Sequence, residues 1–220
     1  MPRYETVLFD LDGTLIDSVD LIVDSYVHTF TTHGVPMRTR DEILAGLGTP
    51  LRIAFGKLTG DPAEIEAWIA TYREYNLAHH DERVHAYPGT VAMVRHLKES
   101  GRRIGLVTSK NRSGANRGLE LVGLGDTMEV IVAADDVTNP KPHPEPVLRA
   151  LAQLAMPAGS CVFVGDSHHD VNSGRSAGVA TIGVTWGPFD RRHLEEVAPD
   201  HYCDTPGELL ELVGCPAPIR

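Results

Sequence analysis

Four short stretches carry residue types that suit phosphoryl chemistry. They are Asp10-Leu11-Asp12-Gly13-Thr14, Thr108-Ser109-Lys110, Lys141 between Pro140 and Pro142, and Gly165-Asp166-Ser167-His168-His169-Asp170. Carboxylates packed together repel one another and rise in pKa. A hard divalent cation removes that penalty, and magnesium, which takes oxygen ligands and keeps waters, suits a few carboxylates plus a substrate phosphate. The cation would also let an anionic nucleophile approach an anionic phosphoryl group. Asp12, two residues after Asp10, is placed to protonate a leaving oxygen and then to deprotonate water. Thr108 or Ser109 can donate to a phosphoryl oxygen, and Lys141 can supply a fixed positive charge. Gly13 would let the backbone turn tightly beside the phosphate. Any one of these residues alone could simply cap a helix. Their convergence from four distant segments is harder to explain that way.

Convergence needs elements that bring the segments to one edge. Apolar, mostly continuous runs at 6–9, 103–107, 129–132, 160–164 and 180–184 read as parallel strands covered on both faces. Helical patterns fall between them at 88–100, 112–122, 144–155 and 168–177, with Gly101, Gly123 and Gly178 at C-terminal positions. Alternation of this kind implies a Rossmann-like, doubly wound α/β parallel sheet. The reactive stretches then lie at the carboxyl edge, where such sheets bind ligands. Residues 17–83 break the alternation. Leu21, Ile22, Ser25, Tyr26 and Thr29 recur at helical spacing, as do Ile65, Trp68, Ile69 and Tyr72, and Gly46-Leu47-Gly48-Thr49-Pro50 interrupts the stretch. The expected organisation is a core of residues 1–16 and 84–220 with an inserted all-helical cap, 17–83. The two crossings, near 16–18 and 83–85, are expected to be short strands side by side that act as a hinge. The tail from Gly214 to Arg220 is expected to fray.

Asp-Leu-Asp-Gly-Thr-Leu at 10–15, Thr108, Lys141 and the run from Gly165-Asp166 to Asp170 resemble, in order and spacing, the four motifs of the haloacid dehalogenase superfamily. That resemblance implies a phosphohydrolase in which Asp10 is the nucleophile and forms an aspartyl-phosphate. It also implies a magnesium ion held by the Asp10 carboxylate, the Asp12 backbone carbonyl and Asp166, with Asp170 beside them holding Lys141 or a metal-bound water. The helical insertion corresponds to the family's cap, which closes over the site and selects substrate. Asp135-Asp136-Val137-Thr138-Asn139, Lys141-Pro142, Pro144 to Leu148, and cap segments at 25–29 and 72–81 are similar to the PpaX-type inorganic pyrophosphatase subfamily. Phosphoglycolate phosphatases share most of these motifs. A sugar phosphomutase on the same scaffold is a further alternative. Carbon–halogen hydrolysis needs no acid at the Asp12 position, so Asp12 speaks against it.

A pyrophosphate-selective cap must meet a second charged phosphate with cations and donors. The candidates are Thr49 in the cap loop, then Arg52, Lys57, Arg73 and His80, with Lys110 reaching from the core. Arg52 and Lys57 could equally lie on a solvated helix face. Trp68 fits cap core better than a stacking platform, and Trp186 could be a core plug or a site wall. The formal net charge of −10 points away from nucleic acid and anionic membrane as partners, leaving a small phosphorylated substrate. Three cysteines without a CxxC, no signal-peptide pattern and no membrane-spanning apolar stretch make a cytoplasmic setting the expectation.

Overall fold

The computed structural model describes residues 4–215. Six parallel strands form the central sheet: β1 (Thr6–Phe9), β4 (Arg103–Val107), β5 (Val130–Val132), β6 (Cys161–Gly165), β7 (Ala180–Val184) and β8 (His201–Cys203), in the order β5-β4-β1-β6-β7-β8. Period-two alternation sends β1 side chains into two separate cores. Val7 and Phe9 pack with Met93, Leu97, Ala115 and Leu119 of α5 (Thr90–Glu99) and α6 (Arg112–Leu121). Leu8 packs on the other face with Val147, Leu151 and Leu154 of α7 (Glu145–Leu154), and α8 (His168–Ser176) lies against β6 and β7 on that side. Burial on both faces is why the runs read as continuous rather than alternating.

The expected strands and helices of this layer agree with the structure to within about two residues, the usual spread of element boundaries. Gly101, Gly123 and Gly178 each take the left-handed conformation. The sixth strand was not foreseen. β8 has three residues, His-Tyr-Cys, two of them half-buried at the sheet edge, so it carries no apolar run. The tail expectation needs correction at its start. Cys215 is buried, and the Arg102 guanidinium donates to the carbonyls of Val213 and Gly214. The rest of that stretch, 216–220, lies outside the described residues.

Between β1 and β4 the chain forms α1 (Val19–His33), α2 (Arg40–Leu44), α3 (Leu51–Gly56) and α4 (Pro62–Arg83), with no strand among them. Thr39 and Glu42 form a reciprocal cap on α2, and Asp61 accepts from the Ala63 N–H to start α4, with Pro62 in its first turn. These helices share a core of their own. Phe55 sits edge-on to Trp68 and Tyr26 edge-on to Tyr72, with ring centroids 5.6 and 5.1 Å apart. The chain enters and leaves this bundle on two paired strands, β2 (Ile16–Asp17) and β3 (His85–Ala86), antiparallel to each other. Among the described residues no helix is long and apolar enough to cross a membrane.

Candidate functional site

The sheet order reverses at β1. The chain runs from β1 out through β4 and β5, then returns to place β6 on the other side of β1. In register, Phe9 lies opposite both Leu106 and Val164. Asp10, Thr108 and Asp166 therefore leave three neighbouring strands at about the same height, at the switch point where open α/β sheets bind ligands. The Asp10 N–H donates to Val164 O, and the Thr108 N–H donates to Val132 O.

Three carboxylates meet there. Asp10, Asp166 and Asp170 each bring an oxygen within 4.8 Å of the others, and all three are buried. Lys141 Nζ stands 2.9 Å from Asp10 Oδ1, an ion-pair contact without the alignment of a hydrogen bond. The same ammonium donates to Asp170 Oδ1 at 2.6 Å and to Val107 O at 3.2 Å. Asp170 Oδ2 accepts from the Ser167 N–H and hydroxyl at the start of α8, so this carboxylate is fully engaged. Asp166 Oδ1 accepts from the Thr14 hydroxyl at 3.0 Å, and its Oδ2 has no donor among the described residues.

Burial sets the electrostatics of this cluster. It pushes the Asp10 carboxyl up to about 7 against the pull of Lys141, with Asp170 and Asp12 adding to the rise. Burial also holds Asp166 well above the ordinary carboxylate value, with Asp170 and Asp10 adding their repulsion. For Lys141 burial pulls downward, and Asp10 and Asp170 more than offset it. With all three carboxyls ionised, one ammonium leaves an excess of negative charge, and Asp166 Oδ2 has no donor among the described residues. An oxygen-preferring divalent cation fits that donor set.

Asp12 points elsewhere. Its carboxylate accepts from Lys110 Nζ at 2.9 and 3.2 Å and from the Ser18 hydroxyl at 2.5 Å, just beyond β2. Gly13 has φ 85°, and a Cβ there would stand 2.4 Å from Asp166 Oδ2. Only glycine allows the loop to pass this close to the carboxylate. Trp186 Nε1 donates to Thr14 O at 2.8 Å, so this tryptophan props the same loop.

A cleft of about 540 Å³ opens over Asp10, Asp12 and Asp166, with the helical bundle as its roof. Thr108, Ser109 and Lys110 line it, and the buried Ser109 hydroxyl has no partner among the described residues. Lys141 and Asp170 do not line it; they sit behind Asp10. Ile69, Tyr72, Arg73, Asn76, Leu77 and His80 form a single face of α4, spaced three and four apart, that looks into the cleft. Thr49 reaches the cleft from the loop before α3 and lies 3.4 Å from His169 Nε2.

The cap cations divide. Arg73 lines the cleft and has no ion pair among the described residues. Arg52 lies at the rim, largely exposed and paired with Glu66 on α4. Lys57 is exposed at the end of α3 and does not line the cleft. His80 is 1% exposed; its Nδ1 lies 2.9 Å from Asp81 Oδ1 and its Nε2 has no partner among the described residues. Asp81 in turn accepts two hydrogen bonds from Arg117 of α6, at 2.9 Å each.

Sequence reasoning gave no role to Thr14, Ser167 or His169, and it left Trp186 between a core plug and a site wall. Ser167 and Asp170 stand at capping-box spacing, which was a usable signal. Thr14 lies inside a stretch already singled out. His169 packs on the cap loop: a Cβ on Gly48 would stand 2.9 Å from its ring, and burial, with His168, lowers it to about 4. Nothing local decides between the two readings of Trp186, whose partner Thr14 is far away in sequence.

Fold and site together define a hydrolase of one class. Residues 7–184 match the family described as haloacid dehalogenase-like hydrolase, and the chain belongs to that family. A pyrophosphatase PpaX from Anoxybacillus flavithermus is 41% identical over 209 residues, covering 95% of this chain and 96% of the relative. Among solved structures, a Bacteroides fragilis protein described as a haloacid dehalogenase-like hydrolase is 31% identical, with TM-score 0.87 over 94% of this chain and 100% of that one. A Lactobacillus plantarum protein assigned as a phosphoglycolate phosphatase is 27% identical, with TM-score 0.84 over 96% of this chain and 99% of that one.

Proposed function

We propose that this hydrolase is a magnesium-dependent phosphatase that passes a phosphoryl group first to Asp10 and then to water, with inorganic pyrophosphate as preferred substrate. The observation that carries the chemistry is the buried Asp10, Asp166 and Asp170 cluster balanced by one ammonium. Residues 17–83 act as the cap and the remainder as the core. Asp10 and Asp166, with the Asp12 carbonyl, would hold magnesium, which neutralises phosphoryl charge.

The chain's own groups do the rest. An Asp10 carboxylate oxygen attacks phosphorus, the bond to the leaving oxygen breaks, and Asp12 gives that oxygen a proton. Asp12 then takes a proton from water as the water oxygen attacks phosphorus and the Asp10–phosphorus bond opens. Lys141 and Asp170 fix the Asp10 carboxylate from behind. Ser109 Oγ and the Thr108 hydroxyl donate to phosphoryl oxygens. Lys110 now engages Asp12 and lines the cleft, so it can move from the carboxylate to the substrate's phosphate and free Asp12 to carry a proton.

The pyrophosphate preference is supported by the PpaX relative and by Arg73, whose fork can bind two phosphate oxygens. Phosphoglycolate is the second reading, favoured by the pairing of Arg52 with Glu66, which leaves Arg73 to meet a single carboxylate. Phosphate release from pyrophosphate and 2-phosphoglycolate, each with and without magnesium, separates the two. Pyrophosphate should give the higher kcat/KM. Arg73→Ala should cost pyrophosphate at least about tenfold more than p-nitrophenyl phosphate, as loss of a charged hydrogen-bond pair does. A higher value for 2-phosphoglycolate, or an equal loss on both test substrates, would replace pyrophosphate with the second reading.

A further inference from the structure

We propose that the same cleft also hydrolyses phosphomonoesters of apolar alcohols, whose alkyl or aryl body rests on an apolar lip formed by Ile53 and Leu77. The proposal depends on the phosphohydrolase reading but not on the preference for pyrophosphate. Among the described residues, five large apolar side chains are exposed. Two of them, Ile53 at 42% and Leu77 at 43%, line the mouth of the cleft. They come from different elements, α3 and α4, and continue inward into Leu51, Ile69 and Tyr72. Val137 and Pro140 line the core side of the same cleft. Exposed apolar side chains that lead from a cleft mouth into an apolar part of its lining, with Arg73, Asn76 and His80 set among them on α4, are a ligand-binding arrangement rather than scattered exposure.

Size points the same way. About 540 Å³ is in the range of sites that enclose an organic ligand of many atoms, and inorganic pyrophosphate is much smaller. A leaving group several carbons long would reach from the phosphorus above Asp10 along the α4 face. It would pass Tyr72 and Arg73 to Leu77, one turn beyond Arg73. The step is ordinary ester hydrolysis. The phosphorus–oxygen ester bond breaks as the Asp10–phosphorus bond forms, and the alkoxide takes the Asp12 proton. Water then returns the phosphoryl group as inorganic phosphate and a proton to Asp12.

Ethyl and hexyl phosphate test this, because their leaving groups have nearly the same basicity and differ in apolar length. With magnesium present, the wild-type kcat/KM should be at least about tenfold higher for hexyl phosphate, a fraction of what full burial of four methylenes would give. Ile53→Asp and Leu77→Asp, both at exposed positions, should bring the ratio close to one, chiefly through KM. Leu148→Asp, an equally exposed apolar position on α7 away from the cleft, should leave both rates unchanged. Thermal melts confirm that each variant folds. Equal rates on the two esters by a wild-type enzyme that turns over pyrophosphate would overturn the proposal. So would an equal loss on hexyl phosphate, ethyl phosphate and pyrophosphate in the lip variants, which would make the lip part of cap closure. Phosphate release from none of the three compounds would instead remove the phosphohydrolase reading itself.

Discussion

Asp10 and Asp166 are buried acids, and burial raises both above the ordinary value of 3.8, Asp10 to about 7. An acid whose folded pKa exceeds its unfolded value binds more protons when folded. Without a cation, its contribution to stability is therefore greatest below the ordinary value and declines as pH rises toward 7. A divalent cation bound by the ionised carboxylates reverses that decline. The gain in Tm from magnesium should then grow from about pH 5 to about pH 8, the window set by the Asp10 shift. A gain that is flat or falls over this range would mean that these carboxylates do not hold the ion. Asp10→Asn should keep the fold, since size is preserved and Asp170 still holds Lys141. Turnover should drop below about one percent of wild type, as loss of a covalent nucleophile does. Residual activity well above that level would assign the attack to another group.

At the level of elements, the β1 loop is the tightest piece of construction. Gly13→Ala would set a methyl group against Asp166 at a positive φ, so the loop or the carboxylate must shift. We expect kcat/KM to fall at least about tenfold, with a weaker response to magnesium and little change in the melting of the sheet. Wild-type kinetics in this variant would show that the loop has slack. The motif was legible because its residues are consecutive; what it touches was not. Lys110 reaches Asp12, Thr14 reaches Asp166 and Trp186 reaches Thr14 across many residues of sequence. Such pairs depend on strand order, which periodicity does not reveal. The strands themselves were readable because both faces are covered, and β8 escaped because a three-residue edge strand buries too little to leave a pattern.

Over the whole molecule, several contacts join the helical bundle to the core. The paired strands β2 and β3 carry the chain across, Arg117 of α6 grips Asp81 near the end of α4, and His169 of α8 meets the loop at Gly48 and Thr49. The first two lie together at the chain crossings, so a swing of the cap would carry Thr49 and α3 furthest. Hydrogen exchange should slow in the cap loop and at the crossings when inorganic phosphate and magnesium are added. Exchange that does not change would count against a moving cap. Arg117→Ala should speed exchange in β2 and β3 while leaving the central strands protected. The existence of the bundle was legible from the loss of strand signals over 17–83, but the aim of its cations was not. A small rotation about a helix axis decides whether Arg52 faces the cleft or turns to Glu66, and sequence spacing does not resolve it.

The hydrogen bond from Trp186 to Thr14 also gives the molecule an optical handle. The chain has two tryptophans. Trp68 is sealed among the aromatic rings of the cap, and Trp186 holds the loop that carries Gly13. The two indoles therefore label the two halves of the molecule without any added dye. A change in emission on adding phosphate and magnesium that disappears in Trp186→Phe, and persists in Trp68→Phe, would report on the loop after β1 itself. The opposite pattern would report on rearrangement inside the cap.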